Sequence, residues 1–271
     1  MEFFTVLLSV LLGILAPAGL IIDSVAENAI RDQLEDVEQL EVRVDNAPSY
    51  QILQGRVQRV RIAGRGLFPI AGVRIDMIEL EADAIALDPN RLQEGQSALE
   101  QPLQAGIRLV LKSADLNQAL QSPEITEQLR DLSLNLVSRS GAEQLQRYDF
   151  INPQIEFLEG HPTGNVSPRL RIQVILREQE TQENLQIIAE LGLRAISAQQ
   201  IQIVEPTISA NGEPVPQALI QPLIDGINQQ LNLGSLETFG ITARLLQLEV
   251  NPDALSLAAF IRVEPAQNSG N

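Results

Sequence analysis

Residues that could carry out acid–base or nucleophilic chemistry are sparse in this sequence. The single histidine, His161, lies in the segment 160–164, which has the glycine and proline content of a turn. Cysteine is absent, so thiolate nucleophiles and Cys-ligated metal sites are excluded. No nucleophile elbow, HExxH helix or phosphate loop is present. We therefore expect no enzyme and no cofactor, and a lipid hydrolase that uses His161 or an Asp/Glu pair is only a third hypothesis.

A basic stretch stands out because the chain as a whole has a net charge of −16. No acidic residue occurs from Asn46 to Ile75, yet this stretch contains several arginines. Local positive charge in an acidic protein favours an anionic lipid headgroup, and the candidate headgroup or membrane contacts are Arg56, Arg59, Arg61 and Arg65. The alternative is that these arginines lie on the outer face of a strand. The overall charge also argues against nucleic acid as a partner.

Within the basic stretch, the apolar segment from Gly66 to Gly72 is predicted to be a loop between two strands. Such a loop could insert into a lipid surface, and its candidate contacts are Leu67, Phe68 and Ile70. The alternative is a loop that folds over the core. Both interpretations are open from the sequence.

The N-terminal segment carries the strongest targeting signal. No residue from Phe3 to Ile22 is charged, and about twenty helical residues can span a bilayer. Ala16–Ala18 also matches a small-x-small cleavage site. A membrane anchor, a cleaved signal and a buried helix are all compatible with this pattern. We predict three segments: an anchor or signal (residues 1–22), a single domain (23–264) and a frayed tail (265–271).

The elements that must position any site are predicted from hydrophobic periodicity. Residues 23–40 have the spacing of an amphipathic helix, and alternation with a period of two begins at Leu40. In the long strand predicted at 73–87, the apolar parity changes, which indicates a β-bulge near Met77. Further strands are predicted at 55–63, 106–111, 150–158, 169–177, 185–194, 200–208, 244–250 and 254–263.

Helices are predicted to be few. Short helices at 114–121 and 123–131 follow the serine caps Ser113 and Ser122. A longer one is expected at 215–231, with Pro222 inside it. The strands outnumber these helices and follow one another closely, which favours an antiparallel meander.

Three segments resemble the LmeA-like phospholipid-binding family of bacteria: Asp23–Ala29, Leu53–Ile62 and Lys112–Leu120. The similarity is clearest from Ile22 to Val137. It implies an α+β fold in which a curved antiparallel sheet wraps a long helix, similar to tubular (BPI-like) lipid-binding proteins. It also implies an exported or membrane-bound protein that binds phospholipid in an acyl-chain groove.

The first hypothesis is a membrane-associated phospholipid-binding or lipid-transfer protein, exported to the periplasm or cell envelope, with phospholipid and the membrane surface as partners. The strand residues that we expect to line an acyl-chain groove are Ile62, Ile75, Met77, Leu109, Val174 and Ile261. The second hypothesis is a non-catalytic cell-envelope scaffold anchored by Phe3–Ile22. The sequence names no protein partner.

Overall fold

Two antiparallel sheets dominate the computed structural model, which describes residues 27–28, 30–45, 54–88, 91, 99–122, 125, 148–158 and 169–265. The strands are β1 (Asp36–Asp45), β2 (Arg56–Val57), β3 (Arg59–Ile70), β4 (Val73–Ala82), β5 (Ile85–Ala86), β6 (Leu103–Lys112), β7 (Tyr148–Leu158), β8 (Arg169–Glu178), β9 (Asn184–Ser197), β10 (Gln200–Ala210), β11 (Glu213–Pro214), β12 (Ile241–Val250) and β13 (Ala254–Val263). The helices are α1 (Ser113–Leu120) and α2 (Gln217–Gln230), with a 3₁₀ helix at Leu233–Phe239.

Sheet 1 has six strands in the order β1-β3-β4-β6-β13-β12, and sheet 2 has five in the order β11-β10-β9-β8-β7. The C-terminal hairpin pairs with β6, so both ends of the described chain build sheet 1, while sheet 2 comes from the sequence between them. Strands β2 and β5 form a separate small pair. The meander from β7 to β10 and the C-terminal hairpin confirm the predicted antiparallel sheets.

The inner face of sheet 1 forms the main core, because its strands alternate buried aliphatic and exposed polar residues. On β3, β4 and β6 the buried residues switch between even-numbered and odd-numbered positions. These switches lie next to one another along one line across the three strands. Leu67 is buried on β3 after Ile62, Ile78 follows Ile75 on β4, and Leu109 and Val110 are both buried on β6. Gly66 lies on this line with a φ of +57°, a left-handed conformation that turns β3 within the sheet.

The edges of sheet 2 are capped by asparagine side chains from the two helices. On β7, the Asn117 side chain accepts a hydrogen bond from Ile155 N at 2.7 Å and donates to Ile155 O at 2.8 Å. On β10, Ile203 N donates to Asn228 Oδ1 at 2.8 Å. These bonds satisfy edge-strand groups that the sheet itself leaves without a partner, so they fix α1 and α2 against sheet 2.

Asn117→Ala is expected to lower the free energy of unfolding by about 1–2 kcal/mol, because it removes both bonds to Ile155 and leaves partly buried backbone groups unsatisfied. Chemical denaturation measures this change. The control is Gln118→Ala at the exposed neighbouring position of α1, which should shift stability by less than about 0.5 kcal/mol. Equal stability of both variants would contradict this function of Asn117.

Several predicted elements are wrong at their boundaries. The N-terminal helix does not reach Leu40: Arg31 is helical, but β1 begins at Asp36 and pairs with β3. Ser113 is the first residue of α1 rather than its cap, and Lys112 takes the cap position. The predicted helix at 123–131 lies almost entirely outside the described residues.

The segment from Gly66 to Gly72 is not a loop. Strand β3 continues to Ile70, and a tight turn at Ala71 and Gly72 leads into β4. The predicted bulge near Met77 is also wrong, because β4 keeps its register with β3 on both sides of Met77, and the irregularity of register lies between Leu67 and Ile70 instead.

Helices contribute little to the described structure. Its longest helix is α2, with 14 residues, and it runs along β10. A long helix wrapped by the sheet, and with it the tubular architecture, is therefore not confirmed and stays a prediction. None of the described helices combines the length and apolar character needed to cross a bilayer. The predicted anchor or signal, His161 and the end of the tail lie outside the described residues.

Candidate functional site

One face of sheet 2 is almost entirely aliphatic. Antiparallel pairing places residues directly across from each other on the same face, and on this face the pairs form continuous rows. The first row is Phe157, Leu170 and Leu191; the second is Ile155, Ile172, Ala189 and Ile208; the third is Val174, Ile187 and Ala210. We call these rows the aliphatic face.

Only one end of the aliphatic face is covered by the described chain. Its first row packs with Ile224 of α2, and Leu116 of α1 and Leu255 of the C-terminal hairpin contribute to the same cluster. The third row lies beyond this cluster, and its residues are half-buried. The third row is therefore half-buried between this cluster and the next row, in which Leu176 is only 7% exposed.

Helix α2 adds exposed apolar surface. Its inner side carries the buried Ile220 and Ile224, whereas Leu219 is 72% exposed and Leu223 is 38% exposed. At 100° per residue, Leu219 and Leu223 share the flank of α2 that lies away from Asn228, the residue that caps β10. Exposed leucines one helical turn apart have the character of a contact site for an apolar partner.

The structure separates the residues that we predicted to bind lipid. The main core of sheet 1 contains Ile62, Leu67, Ile75, Leu109 and Ile261, each less than 9% exposed. Phe68, Ile70 and Met77 are half-buried, and Ile70 packs against Val73 and Ala119. Val174 alone lies on the aliphatic face. Sequence periodicity identified the apolar strand faces, but it did not distinguish the closed core from the accessible face.

The predicted headgroup arginines lie on exposed strand surfaces. Arg61 pairs with Asp45 at 3.0 Å, and Glu81 lies 3.3 Å from Arg59 and 3.7 Å from Arg61. Arg56 is exposed on β2, and Arg65 is exposed on β3 opposite Met77. The two arginines with carboxylate partners match the alternative interpretation of an outer strand face.

A groove of about 530 Å³ lies on the outer face of sheet 1, and we call it the outer groove. Its walls include Arg43, Arg61, Glu81, Gly106 and Leu246. Sequence reasoning missed Arg43, Gly106 and Leu246. Two signals were available: the glycine that begins the predicted strand 106–111, and the break in alternation at Leu245 and Leu246, where β12 contains a bulge.

A charge network centred on Arg74 joins sheet 1 to α1. Its guanidinium contacts Glu38 at 2.9 Å, Asp115 at 2.7 Å and Asp76 at 3.2 Å, and Lys112 contacts Asp76 at 2.8 Å. The hydrogen bond from Arg74 holds the pKa of Glu38 below its ordinary value. Burial opposes ionisation of Asp76, but Lys112 and Arg74 outweigh it and lower the pKa of this carboxyl group. The network is structural in character, because every member has a charged partner.

Candidate metal and catalytic groups are few in the described chain. Its residues contain no cluster of three His, Asp or Glu side chains that could hold a metal ion. Among the described residues, Asp115 is the one charged residue that is buried, and it is engaged with Arg74. The aliphatic face and the exposed leucines are instead suited to an apolar ligand.

The comparisons with known proteins agree with this character. The model of the LmeA-like phospholipid-binding family matches residues 15–260. The chain belongs to this family. The LmeA-like family is a phospholipid-binding family and is not a known enzyme family. No curated protein and no solved structure matched the chain.

Proposed function

We propose that this protein binds phospholipid by laying the acyl chains along the half-buried third row of the aliphatic face. One observation carries the proposal: the apolar rows of sheet 2 continue, half-buried, past the residues that cover the first row. Membership in the LmeA-like family supplies the ligand class. The four strands β7 to β10 span about 14 Å, and this width offers an acyl chain an extended apolar surface.

The binding energy comes from removing methylene groups from water. Each buried CH₂ contributes about 0.8 kcal/mol, so partial burial of two chains gives substantial affinity without any catalytic residue. Leu219 and Leu223 extend the apolar surface at the side of α2, and we propose that they contact the lipid or the membrane from which it is taken. Transfer of lipid between membranes, and work at the cell envelope, are part of this proposal.

Substitution of Ile187 tests the proposal. Ile187 lies on the third row opposite Val174, while the neighbouring Ile188 is also half-buried but points to the opposite face, opposite Gln173. We expect Ile187→Asn to reduce bound phospholipid by about tenfold, because an unpaired amide on the chain-binding surface must be desolvated. Ile188→Asn should retain the wild-type amount.

The quantity measured is the phospholipid-to-protein ratio, obtained by mass spectrometry of the organic extract. It is measured once after purification without detergent, and again after the protein has been delipidated and incubated with liposomes. Ile187→Phe provides a second variant that fills the surface without burying a polar group. Wild-type protein that takes up no phospholipid refutes the proposed function. Equal lipid in the Ile187 and Ile188 variants refutes the assignment to the aliphatic face.

A further inference from the structure

The outer groove contains two arginines directly opposite each other. Arg43 on β1 pairs in register with Arg61 on β3, and like charges at such positions destabilise a sheet. Arg61 is partly neutralised by Asp45 at 3.0 Å and by Glu81 at 3.7 Å. Among the described residues, no carboxylate pairs with the exposed Arg43. A bound anion between the two guanidinium groups would remove this repulsion.

Gly106 forms an open floor in the middle of the same groove. It lies within β6, an internal strand of sheet 1, where glycine weakens a strand. A Cβ atom at this position would meet no other atom within 4 Å. Packing within the protein therefore does not require glycine here. Glycine inside a strand is typical of a site where a ligand approaches the backbone closely.

Leu246 supplies an apolar wall. It lies at the bulge of β12, between the register pairs formed by Leu245 and Gln247, and it is 69% exposed. Bulges change the direction of side chains, and this one places an exposed leucine in the groove beside its charged side chains. Three residues that are unusual for a strand lie in this one groove: an arginine opposite another arginine (Arg43), an interior glycine (Gly106) and an exposed leucine (Leu246). Such a concentration is expected for a functional site.

The groove is locally neutral in a chain of net charge −16. Its lining contains three arginines, Arg43, Arg61 and Arg108, and three glutamates, Glu41, Glu79 and Glu81, and Arg108 pairs with Glu79 at 3.6 Å. The guanidinium groups suit a phosphate, and the carboxylates accept hydrogen bonds from ligand hydroxyl or ammonium groups. We propose that the outer groove binds a phospholipid headgroup in which the phosphodiester carries a hydrogen-bond donor, such as glycerol or ethanolamine. This inference rests on the proposed phospholipid-binding function.

The test uses short-chain phospholipids below their micelle concentration and isothermal titration calorimetry. Wild-type protein should bind glycerol and ethanolamine headgroups about tenfold more tightly than choline, which lacks a donor. Arg43→Gln should weaken both donor headgroups by about tenfold. Arg244→Gln is the matched control, since Arg244 is an exposed arginine on the same row of sheet 1 but outside the groove. It should leave binding unchanged.

Gly106→Val provides an independent variant. The side chain occupies open space in the groove, so we expect weaker headgroup binding with an unchanged melting temperature. Equal binding of choline, or full binding by both Arg43→Gln and Gly106→Val, overturns the inference. Equal competition by inorganic phosphate also overturns it, because the groove would then be a simple anion site.

The two proposals fail separately. If wild-type protein loads long-chain phospholipid, but headgroup preference is the same in the Arg43 and Gly106 variants, only the groove assignment is wrong. If no long-chain phospholipid is loaded, the proposed function is wrong. If Arg43→Gln still loads long-chain lipid but no longer discriminates between headgroups, both proposals are supported. Chain and headgroup recognition then belong to different surfaces.

Discussion

Gly66→Ala is expected to lower the free energy of unfolding by about 3 kcal/mol, through two independent conflicts. Gly66 has a φ of +57°, where a residue with a Cβ atom is strained. In addition, the new Cβ would overlap the carboxyl group of Glu38 on β1. Displacing Glu38 disturbs its ion pair with Arg74. Chemical denaturation followed by circular dichroism measures the loss.

The control for this prediction is Gly106→Ala, because the added methyl group enters open space and φ is not left-handed. It should change stability by less than about 0.5 kcal/mol. A double-mutant cycle with Glu38→Ala separates the two conflicts. In the Glu38→Ala background the cost of Gly66→Ala should fall, but the backbone strain should remain. A cost that is unchanged in this background would show that the overlap with Glu38 contributes nothing.

Arg74→Met is expected to destabilise the protein by about 2–3 kcal/mol, somewhat less than for a fully buried pair because the network is partly exposed. The Arg74 side chain is only 20% exposed, and its removal leaves Asp115, which is 12% exposed, without its cation. Methionine keeps the apolar stem.

Arg171→Met is a matched control: Arg171 bridges Glu156 and Glu190 on sheet 2 but is 34% exposed. We expect it to cost less than about 1 kcal/mol. Equal losses in both variants would contradict the prediction.

The same network predicts an acid dependence of stability. The pKa values of Glu38 and Asp76 are lowered in the folded state, so the unfolded chain binds protons more readily than the native protein. Their contribution is present above the unfolded pKa values of about 4 and is lost as the pH falls through the lower folded values. Melting temperatures of the wild type should therefore decrease below about pH 4, and this decrease should be shallower in Arg74→Met. A parallel decrease would exclude Arg74 as its cause.

Local patterns predicted much of the strand content. Alternation identified β8, β9 and β10 near their observed bounds, and it also predicted the two strands that form the C-terminal hairpin, β12 and β13. These elements are set by side-chain period and turn chemistry, which neighbouring residues determine. The ordered resemblance of three segments gave the phospholipid-binding family, which the family match over residues 15–260 confirms.

Failures occurred where distant pairing overrides local preference. Residues 36–40 fit a helical period, yet hydrogen bonds to β3 place them in β1. Gly66 read as part of a loop, because no local signal shows that β3 continues through a left-handed residue. The insertion of β13 between β6 and β12 joins segments far apart in the chain, and sequence periodicity carries no information about that order.

The sequence by itself determined which strand faces are apolar, the absence of thiol chemistry and the ligand class implied by the family. Only the tertiary structure decided which apolar face is accessible. Ile62 and Val174 lie on strands with the same kind of aliphatic alternation, but sheet 1 is closed over the first, whereas the described cover on sheet 2 ends before the second. The reason is physical: alternation fixes the direction of a side chain within its strand, whereas exposure depends on the elements that pack above it.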